Sequence, residues 1–307
     1  MTDTSDSSES LRTDSLNPDR LMNGRAHAEP IPRFALHQMT TYRWDLPREL
    51  REIRSAGYHA ISLWRNKLDD EFLTACDLDD ALVPVASLSW AGFFTGSHGM
   101  TFEEAVADGR DAIRQARDLN AETLVIYSGA RAGHTVRHAR RLVAWGLRAL
   151  ADFAADRGVQ LALCPLSPLG RRWSFLDGLD PALEVLDAVR HPSVGLACDM
   201  YHLWLSEPRF ESRIAEIAPR TSLVHVSDGP ASPVHEYDQA LPGKGRVPVN
   251  DWIGRFAAAG YAGYFDVQCW SESVWRSASS AQLAWLLHDL QSAAPASAGR
   301  PARQAAR

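Results

Sequence analysis

Residues 122–158 read ETLVIYSGARAGHTVRHARRLVAWGLRALADFAADRG. Glu122–Tyr127 is a short run of apolar and β-branched residues and predicts a strand, and the polar, glycine-containing stretch after it predicts a loop. From Arg137 onward apolar residues recur at helical spacing, and the run ends on Gly158, a residue suited to closing a helix. The same order of strand, polar loop and amphipathic helix recurs along the chain. Further strands are expected at Phe34–Met39, His59–Trp64, Val83–Trp90, Gln160–Cys164, Gly195–Asp199, Ser222–Val226 and Tyr264–Trp270. Helices are expected at 46–57 (LPRELREIRSAG) and at 101–120, where Thr101 stands three residues before Glu104 in a capping-box pattern. Strands that alternate with helices form parallel βα units, and such units repeated eight times over about 260 residues match a closed (β/α)8 TIM barrel better than an open sheet. GxGxxG does not follow the first strand and GxxxxGK[ST] occurs nowhere, so dinucleotide and P-loop nucleotide binding lose their usual support.

Composition narrows the class. The 307 residues are 45% hydrophobic and 23% charged, ordinary for a globular chain. Thirty-two Lys and Arg against 38 Asp and Glu give a net charge of -6, which disfavours nucleic acid as a partner. No apolar run approaches the roughly 18–20 residues of a membrane span. The polar, acidic start MTDTSDSSES does not read as a signal peptide, and the widely spaced Cys76, Cys164, Cys198 and Cys269 suit a reduced, cytoplasmic chain. Residues 1–30 and 293–307 are expected to be disordered tails around one barrel domain at 31–292. A homo-oligomer is compatible with this sequence.

In a (β/α)8 barrel the chemistry gathers at the C-terminal strand ends. The polar residues expected there are His37 on strand 1, Ser89 on strand 3, Asp199 and His202 after strand 6, His225 and Asp228 on strand 7, and Gln268 on strand 8. Cys164 ends strand 5. Trp64, Trp90, Tyr127 and Trp270 would line the mouth, where aromatic rings stack on sugars or close an apolar pocket. Arg246, after the PGKG turn, is the leading contact for an anionic group, with Arg65, Arg131 and Lys244 as weaker ones. Strand alternation turns Cys198 and Cys269 outward toward the helices.

The segments LVIYSGARAGHT, LALCPLSP, GLACDMYHLWLSEP, LVHVSDG and LPGKGRVPVNDWIGRFAAAGYAGYFDVQCWSE resemble the xylose isomerase-like barrels known as sugar phosphate isomerases/epimerases, over roughly 33–290. The resemblance implies a divalent metal held by Glu, Asp, His and Glu from strands 5 to 8, with the two glutamates exchanging the proton beside a carbonyl. Asp199 and His225 match the strand-6 and strand-7 ligands, and His202 matches the histidine of the DxYH motif. Both glutamates are replaced. Cys164 stands at the strand-5 position and Gln268 at the strand-8 position, and Ser167 replaces the histidine of the PLHP segment.

These departures change the expected chemistry. An amide has no basicity at neutral pH, so Gln268 removes one of the two bases that epimerisation needs. One carboxylate, Asp199, remains where the family pattern has three, which weakens a Mg- or Mn-type site. Three readings stay open. Zinc is held by Cys164, Asp199 and His225, with Gln268 or water as the fourth ligand. Alternatively no metal binds, and Cys164, activated by His202 or His225, acts in an isomerase, lyase or cyclase of specialised metabolism. In the third reading the barrel binds a ligand without turnover. The expected function is that of an isomerase/epimerase-like enzyme acting on a sugar, polyol or related hydroxy-carbonyl small molecule, by something other than the paired-glutamate mechanism.

Overall fold

The strands β1 (Arg33–His37), β2 (Ala60–Trp64), β3 (Val85–Gly92), β4 (Thr123–Tyr127), β5 (Gln160–Leu163), β6 (Val194–Asp199), β7 (Thr221–Val226) and β8 (Tyr264–Val267) pair in parallel in sequence order. β8 pairs back onto β1, with Ala35 opposite Asp266, and closes the barrel. The computed structural model describes residues 31–68 and 82–293. The two expected tails and Cys76 lie outside the described residues, apart from the helical Ala293. The helices are α1 (Leu46–Ala56), α2 (Arg65–Leu68), α3 (Phe102–Asp118), α4 (Val136–Ala155), α5 (Leu179–Val189), α6 (Met200–Ser206), α7 (Phe210–Ile217), α8 (Val249–Ala258), α9 (Glu272–Ser277) and α10 (Ser280–Ala293). Among the described residues no helix is long and apolar enough to cross a membrane.

Local chemistry sets the helix ends. Asp45 caps α1 by accepting from Arg48 N at 2.8 Å, and Gly57, at φ 89°, closes the helix in the left-handed region that glycine adopts without strain. The expected capping box opens α3: Glu104 N donates to Thr101 Oγ1, and Thr101 N donates to Glu104 Oε2 at 2.8 Å. Helix α4 packs close because Gly146 has no side chain. A Cβ there would stand 2.3 Å from the Phe94 ring.

Period-2 alternation sorts the strand side chains into two cores. Phe34, Leu36, Ile61, Leu124, Leu163 and Phe265 pack outward against the helices, together with Cys198 and Cys269, as the alternation predicts. Ala35, Ala60, Val125, Ala162, Ala197 and Leu223 fill the inside. Burying each large aliphatic or aromatic side chain contributes about 1.5–3 kcal/mol, so most of the fold's stability lies in the outer shell, where such residues abound.

The expected strands match the observed ones within two residues at each end, with one exception. β8 ends at Val267 rather than Trp270. Gln268 N still donates to Val226 O, but Cys269 N donates to Thr40 Oγ1 and Trp270 N to Gln239 Oε1. Side chains from two other loops take over the ladder there and free the chain to turn into the mouth of the barrel.

Candidate functional site

The C-terminal ends of the strands carry a buried polar floor. Asp199, His225 and Asp266 lie side by side in register across β6, β7 and β8. Cys164 and His225 are fully buried, and Asp199 and Gln268 nearly so. Each of these four sequence-derived positions therefore faces the inside of one barrel end.

Asp266 was not legible as a site residue, yet it is the direct partner of His225. His225 Nδ1 donates to Asp266 Oδ2 at 3.2 Å, and both side chains are fully buried. In the neutral imidazole, a carboxylate facing Nδ1 favours the proton on that nitrogen and leaves Nε2 as an acceptor. Among the described residues Nε2 finds no hydrogen-bond partner, and neither do Asp266 Oδ1 and Gln268 Nε2. Ser62, Ser87 and Ser227 also carry buried hydroxyls with no partner among the described residues. Buried polar atoms are almost always satisfied, so a cluster of orphans at one strand end marks a place shaped for a polar ligand or water.

His37 stands opposite, its ring 6.1 Å from that of His225 and edge-on. Its Nδ1 accepts from Met39 N at 2.9 Å, so Nε2 carries the proton toward Ser89 Oγ at 3.3 Å. Burial pushes its pKa down to about 4, against an opposing pull from Asp266, and the ring is neutral at physiological pH.

Asp199 and His202 have local duties. Asp199 Oδ1 accepts from His202 N at 3.0 Å and caps α6, so the DxxH spacing encodes a helix start. His202 Nδ1 accepts from Ser167 Oγ at 2.9 Å and from Ser167 N at 3.3 Å, which ties α6 to the loop after β5. Burial lowers the His202 pKa. The Cys164 thiol approaches only Pro165 O, at 3.8 Å. Among the described residues it makes no hydrogen bond with His202 or His225. Burial, reinforced by Asp199, raises its pKa well above that of a free thiol, so it stays neutral. Asp228 accepts from the backbone N–H groups of Gly229, Gly245 and Val247 and folds the loop after β7 back on itself.

An aromatic layer roofs the floor. Trp90 packs 5.3 Å from Tyr127, 5.3 Å from Trp270 and 5.0 Å from Trp173. Above these rings lies a chamber of about 560 Å³, lined by Trp64, Trp90, Trp173, Tyr237, Trp270 and Trp275 among others. Cys164, Asp199, His225 and Gln268 are not among its lining residues. Trp64, Trp90 and Trp270 line this chamber, while Tyr127 is buried and outside its lining, its phenol pKa raised by burial. Trp173, Tyr237 and Trp275 were missed because they sit on loops and a short helix, where no period announces them. Arg246 is exposed beyond the loop after β7 and outside the chamber lining. Arg65 is committed to Asp108, at 2.9 and 3.1 Å, and to Trp90 O at 2.9 Å, so it braces the roof.

Residues 50–288 match the profile of the family described as xylose isomerase-like TIM barrels. The chain belongs to the xylose isomerase-like TIM barrel family. It is 28% identical over 237 residues to a putative hydroxypyruvate isomerase from Streptomyces coelicolor, covering 70% of this chain and 81% of that one. It is 21% identical over 244 residues to a fructoselysine 3-epimerase from Escherichia coli O157:H7, covering 74% and 86%. Among solved structures, protein SMc04130 from Sinorhizobium meliloti 1021 superposes with a TM-score of 0.76 at 23% identity, covering 86% of this chain and 99% of that one.

Against the metal pattern that the resemblance implies for xylose isomerase-like barrels, the donor chemistry fits poorly. Of the four positions, one is a thiol, one is an amide, and the carboxylate of Asp199 already caps a helix through one oxygen. A hard divalent ion favours several ionised oxygens, and these residues offer one carboxylate. His225, anchored through Nδ1 to Asp266 with Nε2 bare, is the one side chain poised for either a ligand or a base.

Proposed function

We propose that this protein is a one-base isomerase of a small hydroxy-carbonyl compound, with His225 as the base and Asp266 as the group that orients it. The observation that carries this reading is the His225–Asp266 pair with an unpartnered Nε2 at the functional end of the barrel. Nε2 takes the proton from the carbon beside the carbonyl, and the bond electrons form an enediolate. The unpaired amide N–H of Gln268 is available to hold the developing oxyanion. The neighbouring hydroxyl proton passes to the former carbonyl oxygen while His225 returns its proton to the adjacent carbon. The carbonyl has moved by one position and all atoms balance. A single base returns the proton to the face it came from, so the pair of bases that epimerisation uses is not required. The reading routes no step through a metal or through Cys164.

The test is incubation in deuterated water with a panel of ketoses, aldoses and inososes, read by proton NMR. Deuterium at the carbon beside the carbonyl, lost in His225→Gln and reduced in Asp266→Asn, supports the reading. Absence of exchange across the panel, or undiminished exchange in His225→Gln, overturns it.

A second reading, ligand binding without turnover, is favoured by one observation: none of Cys164, Asp199, His225 and Gln268 lines the chamber. Binding to the chamber with no deuterium exchange would decide for it.

A further inference from the structure

The chamber above the floor has a composition that speaks to ligand class. Most of its lining is indole, phenol or phenyl. Its two guanidinium groups are both occupied. Arg65 is bidentate to Asp108 and also holds Trp90 O. Arg172 pairs with Glu236, donates to Tyr237 OH at 2.8 Å and stacks on Trp173 at 4.7 Å. Each guanidinium is matched by a carboxylate, so a phosphate or carboxylate entering here would meet no net positive charge. His98 adds none, since burial and the nearby Arg172 lower its pKa.

The roof offers a neutral donor. Among the described residues Trp64 Nε1 is buried without a partner, whereas Trp90 packs against the Tyr127 phenol and the indole N–H groups of Trp173 and Trp275 are taken by Glu236 and Met39 O. An unpaired buried indole N–H group suits a hydroxyl or ether oxygen, and the ring faces around it suit a planar apolar group. A chamber of about 560 Å³ falls in the range of sites for drug-sized ligands.

We infer that the chamber takes an uncharged ligand with a planar apolar ring stacked among Trp90, Trp173 and Trp270 and a hydroxyl or ether oxygen at the free indole N–H of Trp64. Sugar phosphates fall outside this class. The inference concerns the chamber and goes beyond the proposed chemistry at His225, and its test reads binding alone.

Isothermal titration calorimetry with matched probes decides it: methyl β-D-glucopyranoside, phenyl β-D-glucopyranoside and glucose 6-phosphate. The phenyl compound is expected to bind at least tenfold more tightly than the methyl compound, and glucose 6-phosphate no more tightly than the methyl compound. Trp173→Ala, on a half-buried loop residue, should cut the phenyl preference severalfold. Trp145→Ala, on the outer face of α4, should leave it intact. A phosphate preference, a phenyl advantage of less than about threefold, or no binding of any probe overturns the inference. Deuterium exchange on simple ketoses without a phenyl preference would overturn the inference and leave the isomerase reading standing. A phenyl preference with no exchange would do the reverse.

Discussion

Lys67→Met strips the counter-charge from a carboxylate that has nowhere else to turn. Glu49 is fully buried on α1. It accepts from Lys67 Nζ at 2.7 Å, Thr41 Oγ1 at 2.6 Å and Gln38 Nε2 at 2.7 Å. Gln38 in turn accepts from Trp64 N at 2.8 Å, so the network braces one wall of the chamber. Burial raises the Glu49 pKa even with Lys67 in place, and Lys67 is the main opposing influence. Breaking a buried ion pair from one side costs about 3–5 kcal/mol, because the remaining charge stays buried and uncompensated. For a barrel of this size that corresponds to a fall in Tm of roughly 6–20 °C. The pH dependence has a definite sign. A carboxyl with a raised folded-state pKa holds its proton in the native state where the unfolded chain has released it, so stability rises as pH falls. The deficit of Lys67→Met should therefore be full above the raised pKa and shrink as Glu49 takes up a proton. Urea unfolding at neutral and mildly acidic pH measures both effects, and Glu49→Gln/Lys67→Met should recover most of the loss. A deficit under about 1 kcal/mol at neutral pH, against the 3–5 expected, or one that does not change with pH, refutes the argument.

The buried His37 gives a dependence of opposite sign. Its folded pKa of about 4 lies below the ordinary 6.5, so the unfolded chain binds a proton that the native state refuses. About 3 kcal/mol of stability should be present above the ordinary value and drain away as pH falls through that window, and His37→Asn should flatten this part of the pH–stability curve. The thiols offer a chemical check. Cys164, Cys198 and Cys269 are fully buried, and burial raises the pKa of all three. Iodoacetamide labelling mapped by mass spectrometry should leave them unmodified in the native protein and label all three in denaturant. Rapid native labelling of Cys164 would contradict the neutral thiol described above and restore it as a nucleophile.

The barrel was legible because its signals are local. A strand followed by a loop and an amphipathic helix repeats with little interruption, and period-2 alternation correctly turned Cys164 inward and Cys198 outward. The site was half legible for the same reason. Asp199, His225, Gln268 and Trp90 lie at or within two residues of strand ends, and in this architecture a strand end is an address. Roles within the floor were less accessible, because each depends on a partner distant in sequence. Asp266 faces His225 across 41 residues, and Ser167 meets His202 across 35. One local sign of Asp266 was available: an acidic residue two positions before Gln268 in an otherwise apolar strand lies on the same face. Asp199 carries two signals at once. The spacing of a ligand motif is also that of a helix cap, and through Oδ1 the carboxylate makes the cap. Arg65 looked like a free cation because Asp108, its partner, lies 43 residues further on in α3.

The crowding of indoles around Trp90 makes the mouth of this protein a chiral chromophore. Trp90 has three other indoles within 6 Å of its ring centre, at 5.9 Å for Trp64, 5.0 Å for Trp173 and 5.3 Å for Trp270. Transition dipoles this close, held at fixed angles, couple and split the ultraviolet circular dichroism into a paired band. Rotation of one ring by a guest collapses that signature, while Trp145 and Trp285 on the outer surface contribute an unchanging background. The molecule therefore carries its own spectroscopic gauge of whether its mouth is closed.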